Sequence, residues 1–378
     1  MRRASGFSSG TLVLALWLAA CAGPAQPVGS SQPAAAPAIG TTPAGGASGP
    51  TVGAAAAPGA SETPAGGQSL RKVRVGTIGA INDAGLYLAL ERGYFASAGL
   101  DVELVPFRGS ADMIPLLGNG QLEVGSGAAI PGIFNALARG IALRLVGDKG
   151  SYLGSCSGGL VVRRELADEV RSVADLPGRK VALINRNVAT HIDLIKGLEA
   201  AGRSPADVEV VPLPFPDMNL ALANGAVDAA IHQEPFITEG VDRDILQRVQ
   251  CGEDLNPGRQ YAMLVYGPHF VEGDRTDGER LMVAYLRGVR DYTDGMHKGI
   301  GKDAVLDVLV RYAPADRDLY RRMRPIDLDP DGRPNRASIA FDQEMLLRLG
   351  AVQQAVDLDG VVDTSFVDHA LATLGPYR

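Results

Sequence analysis

The sequence predicts an α/β protein with two similar lobes, each a mainly parallel sheet flanked by helices, joined by a two-strand hinge. Three observations predict this fold. Strand-like and helix-like runs alternate over about 300 residues, which is enough chain for two lobes. One pattern of strand, helix, Asn-Gly and strand occurs twice at similar spacing. A low-complexity segment also separates this region from the N-terminus.

Each copy of the pattern opens with a buried strand and a helix. In the first copy the strand is predicted at residues 72–78, and the helix runs through residues 86–90 and ends at Gly93. In the second copy the strand is predicted at residues 180–184, and the helix runs from about residue 190 to 202. Alternating strands and helices of this kind indicate parallel pairing with crossover helices.

Each copy then closes in the same way. Residues 117–125 and 222–230 both contain an Asn-Gly pair that ends a helix, then an acidic residue after two intervening residues, and the start of a strand. Any alternating α/β chain contains strand–helix units, but the shared order and spacing favour two similar lobes.

The predicted topology also selects the loops of a ligand site. Ligands bind beyond the carboxyl ends of parallel strands, where loops and helix N-termini converge. Applied to both lobes, this rule selects four loops that would face one cleft: residues 80–85, 125–128, 185–191 and 231–236.

We expect the hinge at the strands that leave and re-enter the first lobe, residues 160–162 and 263–265. The first lobe would then comprise residues 70–162, with a return and C-terminal helices at 263–378. The second lobe would comprise residues 163–262.

The N-terminus has the features of an export signal. Arg2 and Arg3 precede a short apolar stretch, and residues 18–21 read Leu-Ala-Ala-Cys. This order resembles the lipobox of bacterial lipoproteins and predicts a signal peptide over residues 1–20 with lipid attachment at Cys21. The alternative is an ordinary signal peptide cut near Ala20.

Residues 22–69 are almost entirely Ala, Gly, Pro, Ser and Thr, and Glu62 is their only charge. Such a segment cannot bury enough apolar surface to offset its ordering entropy, so residues 21–69 are predicted to be a disordered tether. We therefore expect an exported body, anchored by lipid at the outer face of the cytoplasmic membrane, in the periplasm or at the cell surface.

Charge and hydropathy exclude some classes of partner. The formal net charge is −7, and the charges are dispersed, which argues against nucleic acid. No stretch after the signal is apolar and long enough to cross a bilayer.

Segments along the whole body resemble the substrate-binding proteins of ABC importers, which have the type II periplasmic binding protein fold. The similarity is greatest to the group that takes up nitrate, sulfonates, taurine and thiamine-pyrimidine precursors. It is carried by five segments: residues 86–95, 98–104, 175–181, 224–235 and 353–375.

The chain departs from this family at positions that set ligand identity. Residues 83–85 read Asp-Ala-Gly where many relatives have a His-Ala-Pro-like step. Residues 186–191 stand where relatives often begin the second-lobe helix with Gly and Ser. The resemblance therefore leaves the transported solute open.

The resemblance implies a monomeric binding protein that captures a small organic solute in its cleft and delivers it to a permease with an ATPase partner, without a cofactor. The alternatives are a sensor module for a membrane receptor and a catalytic member of the fold. The sequence has no Gly-x-Ser-x-Gly elbow, Walker loop or His-Glu-x-x-His pair, so we predict no enzyme activity.

Two groups of candidate residues predict different ligands. Arg186, Asn187 and Thr190 lie at a helix start, where free N–H groups and an arginine favour a sulfonate, carboxylate or phosphate. The alternative is that Asn187 or Thr190 only caps the helix and Arg186 is solvated.

Asn82, Asp83 and Glu234 favour a ligand that donates hydrogen bonds, such as an amino-heterocycle, because carboxylates repel anions. Glu234 before Pro235 is equally compatible with an exposed turn. Nitrate- or taurine-like anions and thiamine-precursor-like heteroaromatics therefore both remain open.

Other residues complete the predicted ligand site. Ser126 and Gly127 could offer hydroxyl and backbone groups, and aromatic rings could stack on a flat ligand or pack in the core. The full candidate set is Asn82, Asp83, Tyr87, Phe107, Ser110, Ser126, Gly127, Tyr152, Arg186, Asn187, Thr190, His191, Glu234 and Phe236.

Neither of two potential metal motifs is convincing, so we predict no metal site. His191, His232 and Glu234 do not match a zinc spacing. The acidic run at residues 327–331 resembles the start of a calcium loop, but Ser338 occupies the position of the bidentate glutamate.

Cys156 and Cys251 are the cysteines that remain once Cys21 is acylated. Each precedes a predicted hinge strand, and an oxidising compartment would allow them to form a disulfide. The alternative is two separate buried thiols.

Overall fold

Ten β-strands form two five-stranded sheets in this computed structural model, which describes residues 69–128, 130–313 and 315–378. The predicted signal peptide, the lipid attachment at Cys21 and the tether through residue 68 lie outside the described residues. The strands are β1 (Arg71–Thr77), β2 (Leu100–Pro106), β3 (Val124–Ala128), β4 (Arg144–Ser151), β5 (Gly158–Arg163), β6 (Lys180–Leu183), β7 (Glu209–Pro212), β8 (Ala229–Gln233), β9 (Leu246–Cys251) and β10 (Gln260–Tyr266).

Fourteen α-helices are present in the same described residues, and no helix there combines the length and apolar character needed to cross a bilayer. They are α1 (Ala84–Glu91), α2 (Tyr94–Ser97), α3 (Ile114–Gly118), α4 (Pro131–Ala138), α5 (Ala189–Ala200), α6 (Phe215–Ala223), α7 (Phe236–Asp242), α8 (Gly252–Leu255), α9 (Arg275–Lys298), α10 (Lys302–Tyr312), α11 (Arg317–Arg322), α12 (Arg336–Arg348), α13 (Leu358–Val361) and α14 (Ser365–Leu374). Short 3₁₀ turns occur at Ile81–Asp83, Ser110–Met113, Arg164–Leu166, Val173–Asp175 and Pro205–Asp207, and a π-helical turn occurs at His269–Gly273.

The two sheets have equivalent strand orders. The first is β2-β1-β3-β10-β4 and the second is β7-β6-β8-β5-β9. In each sheet, one strand that arrives from elsewhere in the chain, β10 or β5, is antiparallel to both its neighbours. The sheets are therefore mixed rather than purely parallel, and the prediction of two similar α/β lobes is confirmed.

The acid that follows each Asn-Gly pair performs the same task in both lobes. Glu123 accepts a hydrogen bond from the backbone N–H of Arg74 at 2.7 Å, in the middle of β1. Asp228 accepts one from the backbone N–H of Lys180 at 2.9 Å, at the start of β6. The repeated sequence pattern thus corresponds to a repeated hydrogen bond between a turn and the equivalent strand of each sheet, β1 or β6.

The hinge prediction was wrong in its position. Residues 160–162 lie in β5, which pairs with β8 and β9 of the second sheet, whereas residues 263–265 lie in β10 of the first sheet. The chain instead crosses between lobes at residues 152–157 and 256–259, since α8 before the second crossing packs in the second lobe. These crossing segments lie side by side, because the backbone N–H of Tyr152 donates to the carbonyl of Arg259 at 2.8 Å.

The predicted lobe boundaries shift accordingly. Residues 158–162 belong to the second lobe rather than the first, and residues 260–262 belong to the first rather than the second. A buried strand looks alike in either sheet, and only its pairing partners, which are distant in sequence, assign it to a lobe.

Successive residues of a strand point to opposite faces of its sheet, and each face packs against an apolar layer. In β10, Leu264 and Tyr266 pack on the α1 and α9 side of the first sheet, whereas Met263 and Val265 pack on the α3, α4 and α12 side. In β5, Val161 faces the layer beneath α6 and α7, opposite to its neighbours in the strand. Both lobes are therefore three-layered, with helices on each face of a sheet.

A disulfide joins Cys156 to Cys251, with Cα atoms 4.8 Å apart. The reason for their proximity differs from the one expected from the sequence. Cys251 ends β9 opposite Gly159 of β5, so the bridge joins the end of β9 to the segment just before β5, at the edge of the second sheet rather than at two hinge strands. It lies where both crossing segments meet the second lobe.

Buried and surface ion pairs tie the lobes together. Arg259, which is fully buried in the second crossing segment, pairs with Asp193 of α5 at 3.0 Å and with Asp342 of α12. On the opposite side, Arg322 of α11 pairs with Asp242 of α7 at 2.9 Å. The described structure therefore holds the lobes in contact on both sides of the cleft.

Candidate functional site

A cavity of about 120 Å³ lies between the lobes, at the carboxyl ends of the central strands. It is small beside the ~300–1,000 Å³ of sites for drug-sized ligands. Residues of both lobes and of the crossing segments line it: Ile78, Ala80, Asn82, Ala128, Lys149, Tyr152, Ser157, Gly158, Ile184, Val188, Ala189, Thr190, Phe215, His232, Gln233, Tyr261, Ala262 and Ile326. The four loops selected from the sequence all contribute at least one of these residues.

Asp83, a predicted ligand residue, lies behind the cavity wall and is fully buried. Its carboxylate accepts hydrogen bonds from the hydroxyls of Ser126 and Tyr87, and it pairs with the Lys149 ammonium at 2.9 Å. Asp83, Tyr87 and Ser126 are therefore absent from the cavity lining. Their polar atoms are used to hold Lys149 in place.

Lys149 is the polar residue that sequence reasoning missed. Its side chain is 0% exposed, yet it lines the cavity. The ammonium contacts Asp83 and donates to the side-chain oxygen of Asn82 at 3.1 Å. An ammonium has three N–H donors, and these are its two partners among the described residues, so one donor remains for the cavity.

The start of α5 forms the second-lobe wall of the cavity. Val188, the N-cap residue, makes no side-chain cap, and Ala189 and Thr190 follow it. The first N–H groups of a helix have no intrahelical partner, and the helix dipole there favours an anion. The Thr190 hydroxyl is buried and has no hydrogen-bond partner among the described residues. This wall therefore offers several free donors.

Three predicted residues near α5 serve other roles. Arg186 is exposed and donates to the carbonyl of Val210 at 3.1 Å, so it is absent from the cavity lining and the expected arginine clamp is not formed. Asn187 has a φ of 59°, and its backbone N–H donates to Nδ1 of His191 at 3.1 Å. Burial, and then the charge of Arg186, lower the pKa of His191.

Aromatic rings form much of the remaining wall. Tyr152 and Tyr261 lie with ring centroids 5.1 Å apart, and Phe215 lines the second-lobe side. The Tyr152 hydroxyl donates to Asp193 at 3.3 Å, which ties the cavity wall to the buried ion pair of Arg259. A flat or apolar ligand body would pack well against these rings.

Phe107, Ser110 and Gly127 do not line the cavity. Phe107 packs against the core layer of α3 and α4. The Ser110 hydroxyl accepts from the backbone N–H of Ala128 at 3.1 Å, and Gly127 allows this approach because a Cβ there would lie 2.5 Å from that hydroxyl. These residues shape the loop after β3 instead.

Glu234 and Phe236 line a wider groove of about 610 Å³ that shares Ala80 and Gln233 with the cavity. Glu234 is fully buried and pairs with Arg248 at 2.6 Å, so its carboxylate is not free. The amino-heterocycle prediction relied on Asp83 and Glu234, and both are paired with cations.

The structure does not assemble the two weak metal motifs. His191 Nδ1 accepts from a backbone N–H and Glu234 pairs with Arg248, so these residues form no ligand set with His232. Asp327 accepts from the backbone N–H groups of Leu153 and Ser155. Asp329 accepts from the backbone N–H groups of Asp331 and Arg333, and Asp331 accepts from the Arg290 guanidinium.

Comparison with known proteins identifies the family. Residues 80–289, more than half of the chain, match the family described as NMT1/THI5 like. The chain belongs to this family. The NMT1/THI5-like match spans β2 to β10 and therefore contains most of the cavity wall, which confirms the family resemblance predicted from the sequence.

One curated relative is the putative aliphatic sulfonates-binding protein of Escherichia coli (strain K12). It is 29% identical over 186 residues, which cover 48% of this chain and 54% of the relative. The match thus spans about half the length of that relative.

Solved structures of low sequence identity share the fold. The periplasmic aliphatic sulphonate binding protein of Escherichia coli aligns with a TM-score of 0.64 at 20% identity, covering 78% of this chain and 93% of its own. The periplasmic nitrate-binding protein of Synechocystis PCC 6803 aligns with a TM-score of 0.68 at 14% identity, and the alignment covers 81% of this chain and 89% of that protein. A desulfurization enzyme aligns with a TM-score of 0.58 at 18% identity, and the alignment covers 80% of this chain and 99% of the enzyme. The type II periplasmic binding protein fold is therefore confirmed, and it occurs in both binding proteins and an enzyme.

Proposed function

We propose that this protein is the extracytoplasmic solute-binding component of an ABC importer and that its cleft binds a small organic anion. One observation carries the choice of an anion. The uncapped start of α5 and the spare donor of Lys149 converge on one cavity between the lobes. Family membership and the sulfonate-binding relative support the transport role.

The charge balance of the cavity favours a monoanion with an apolar body. Lys149 is neutralised by Asp83, so the site attracts an anion through oriented N–H and O–H donors rather than through net positive charge. The rings of Tyr152, Tyr261 and Phe215 would contact the rest of the ligand. A sulfonate or carboxylate with a short organic group combines these two properties.

A thermal-shift screen tests the proposal. The panel contains sulfonates, nitrate, aminopyrimidines and flavin-like compounds. A ligand that binds only the folded state, at a hundred times its dissociation constant, adds about 2.7 kcal/mol to the unfolding free energy. We expect small organic anions to raise the melting temperature. Hits confined to aminopyrimidines would refute the anion assignment, and hits that all require a divalent metal would refute the binding of organic solutes.

Binding is proposed without turnover, although the fold also occurs in a desulfurization enzyme. Each stabilising ligand is incubated with the protein and recovered for mass analysis. We expect the compound to be recovered unchanged in full. Conversion to a product at a rate proportional to protein concentration would make the protein a catalytic member of the fold.

The proposed delivery role includes a lipid anchor at Cys21 and a monomeric body that docks on a permease with its ATPase. Cys21→Ser should move the protein from the membrane fraction to the soluble fraction. Ligand affinity should stay unchanged, because the predicted tether separates anchor from body. Retention of the Cys21→Ser protein in the membrane fraction would refute the lipobox.

A further inference from the structure

His232 is held rigidly in the cavity wall. It is 1% exposed and lies at the carboxyl end of β8. Its ring is nearly parallel to those of Phe215 and Phe236, with centroids 5.7 and 5.8 Å away. A side chain stacked on both neighbours has little freedom to turn, so the positions of its two ring nitrogens are fixed.

The neighbours of His232 determine which ring nitrogen carries the proton. Nε2 lies 3.2 Å from the side-chain oxygen of Asn219. The amide nitrogen of Asn219 donates to the carbonyl of Phe236 at 3.0 Å, which orients the amide so that its oxygen faces the imidazole. Nε2 must therefore be the donor, and in a neutral ring Nδ1 is then an acceptor.

The ring is neutral at physiological pH. Burial, and then the charge of Arg248, lower the pKa of His232 to about 3. Nδ1 therefore presents a lone pair and no proton. It is buried and has no hydrogen-bond partner among the described residues.

A buried acceptor without a partner is unfavourable, and a bound donor would remove that cost. Several other polar groups of the cavity wall can donate, among them the Lys149 ammonium, the Thr190 hydroxyl and the first N–H groups of α5. The cavity therefore combines a set of donors with a buried ring acceptor that has no partner among the described residues.

We propose that His232 Nδ1 selects ligands that carry a hydrogen-bond donor, such as a hydroxyl, amide or ammonium group, in addition to their anionic group. This inference rests on the proposed function, because the anionic group is what the donors of α5 and Lys149 would hold. It narrows the ligand class to small organic anions with a polar N–H or O–H on the body.

Isothermal titration with matched probes tests the selection. Propane-1-sulfonate and 2-hydroxyethanesulfonate have nearly the same size and differ by a methyl group in place of a hydroxyl. A site with a buried acceptor discriminates against the analogue that lacks the donor. We expect the hydroxyl compound to bind at least about tenfold more tightly. 2-Methoxyethanesulfonate, which has the oxygen without its proton, should bind as weakly as the propyl compound.

A variant tests whether His232 causes the preference for the hydroxyl compound. His232→Phe retains the stacking with Phe215 and Phe236 but removes the acceptor, so it should bind the two probes within about twofold of each other. If this variant fails to fold, long-range proton–nitrogen spectra of the unmodified protein replace it. They should show protonated Nε2 and bare Nδ1, with the Nδ1 resonance moving on addition of the hydroxyl compound only.

The outcomes separate the two proposals. Equal affinity of the unmodified protein for the hydroxyl and propyl compounds, or an unchanged preference in His232→Phe, would overturn the role of His232 and leave the anion-binding function standing. Failure of the whole anion panel to bind would overturn the proposed function and, with it, this inference.

Discussion

Lys149 and Thr190 show how single residues make a cavity suited to an anion without a net charge. Lys149 is buried and balanced by Asp83, and removing one partner of such a pair typically costs 3–5 kcal/mol because the other charge stays buried. A substitution of Lys149 alone would therefore confuse binding with stability. Thr190 has no partner to lose and is the better probe.

We predict that Thr190→Val weakens binding of the best anionic ligand about fivefold. Valine has the shape of threonine but lacks the hydroxyl, and one neutral hydrogen bond contributes about 1 kcal/mol. Isothermal titration measures the effect, and the melting temperature of the free protein should hardly change.

Arg186→Gln is the matched control for this experiment. Arg186 lies three residues before the start of α5, yet its guanidinium is exposed and contacts the carbonyl of Val210. Its replacement should leave affinity within about twofold of the unmodified protein. A large loss with Arg186→Gln and none with Thr190→Val would restore the arginine clamp predicted from the sequence and refute the cavity described above.

Asp148 gives a prediction for the pH dependence of stability. It is 2% exposed, accepts from the Ser151 hydroxyl at 2.6 Å and from the backbone N–H of Asp329 at 2.9 Å, and burial raises its pKa to about 7. Between pH 4 and 7 the folded protein therefore holds a proton that the unfolded chain has released. Its contribution to stability is complete below pH 4 and is lost as the pH rises through 7.

Asp148→Asn should remove this dependence, because an amide mimics the protonated acid and cannot ionise. Denaturant unfolding at pH 5 and pH 8 measures it. The unmodified protein should lose up to roughly 3 kcal/mol more than Asp148→Asn over this interval. Equal losses in both proteins would show that Asp148 does not take up a proton on folding in this range.

At the scale of elements, the disulfide links the segment before β5 to the end of β9 and spans 95 positions of sequence. A bridge that closes a loop of this length adds a few kcal/mol, on the order of 2–4, by restricting the unfolded chain. Cys156→Ser/Cys251→Ser should therefore lower the melting temperature, and adding reductant should lower that of the unmodified protein but not of the double variant. Peptide mapping without reduction checks the bond, and two alkylated free cysteines in fresh protein would contradict it.

Local sequence patterns were sufficient to predict many elements. Gly93 does end the first predicted helix region, and α5 begins within one residue of the predicted Thr190. The order of strands along the chain was also predicted from the alternation of strand-like and helix-like runs. The position of the hinge was not predicted correctly. β5 has the apolar composition of any buried strand, and its pairing with β8 and β9 depends on residues far along the chain.

At the scale of the whole molecule, the sequence predicted which loops form the cleft more accurately than it predicted which side chains line it. Asn82, Tyr152 and Thr190 line the cavity, whereas Asp83 supports it from behind. Lys149 was missed because a single lysine in a strand matches no motif. Its partner lies 66 positions earlier in the sequence, and only the folded first lobe brings the two together.

The cavity is also coupled to the contacts between lobes. Tyr152 lines it and donates to Asp193, which pairs with Arg259 in the second crossing segment, and Arg259 reaches Asp342 of the first lobe. A ligand that contacts Tyr152 and α5 therefore touches elements that hold the lobes together. This arrangement suits a protein whose lobes close around a solute.

A crystal structure with the tightest-binding sulfonate of the screen tests the central claim most directly. The anomalous signal of its sulfur locates the head group independently of how the rest of the ligand is built. We predict a peak in the inter-lobe cavity, with sulfonate oxygens within hydrogen-bonding distance of the first N–H groups of α5, the Thr190 hydroxyl and the Lys149 ammonium. A peak in the wider groove beside Glu234 and Phe236, or on the protein surface, with the cavity containing only water, would contradict the account.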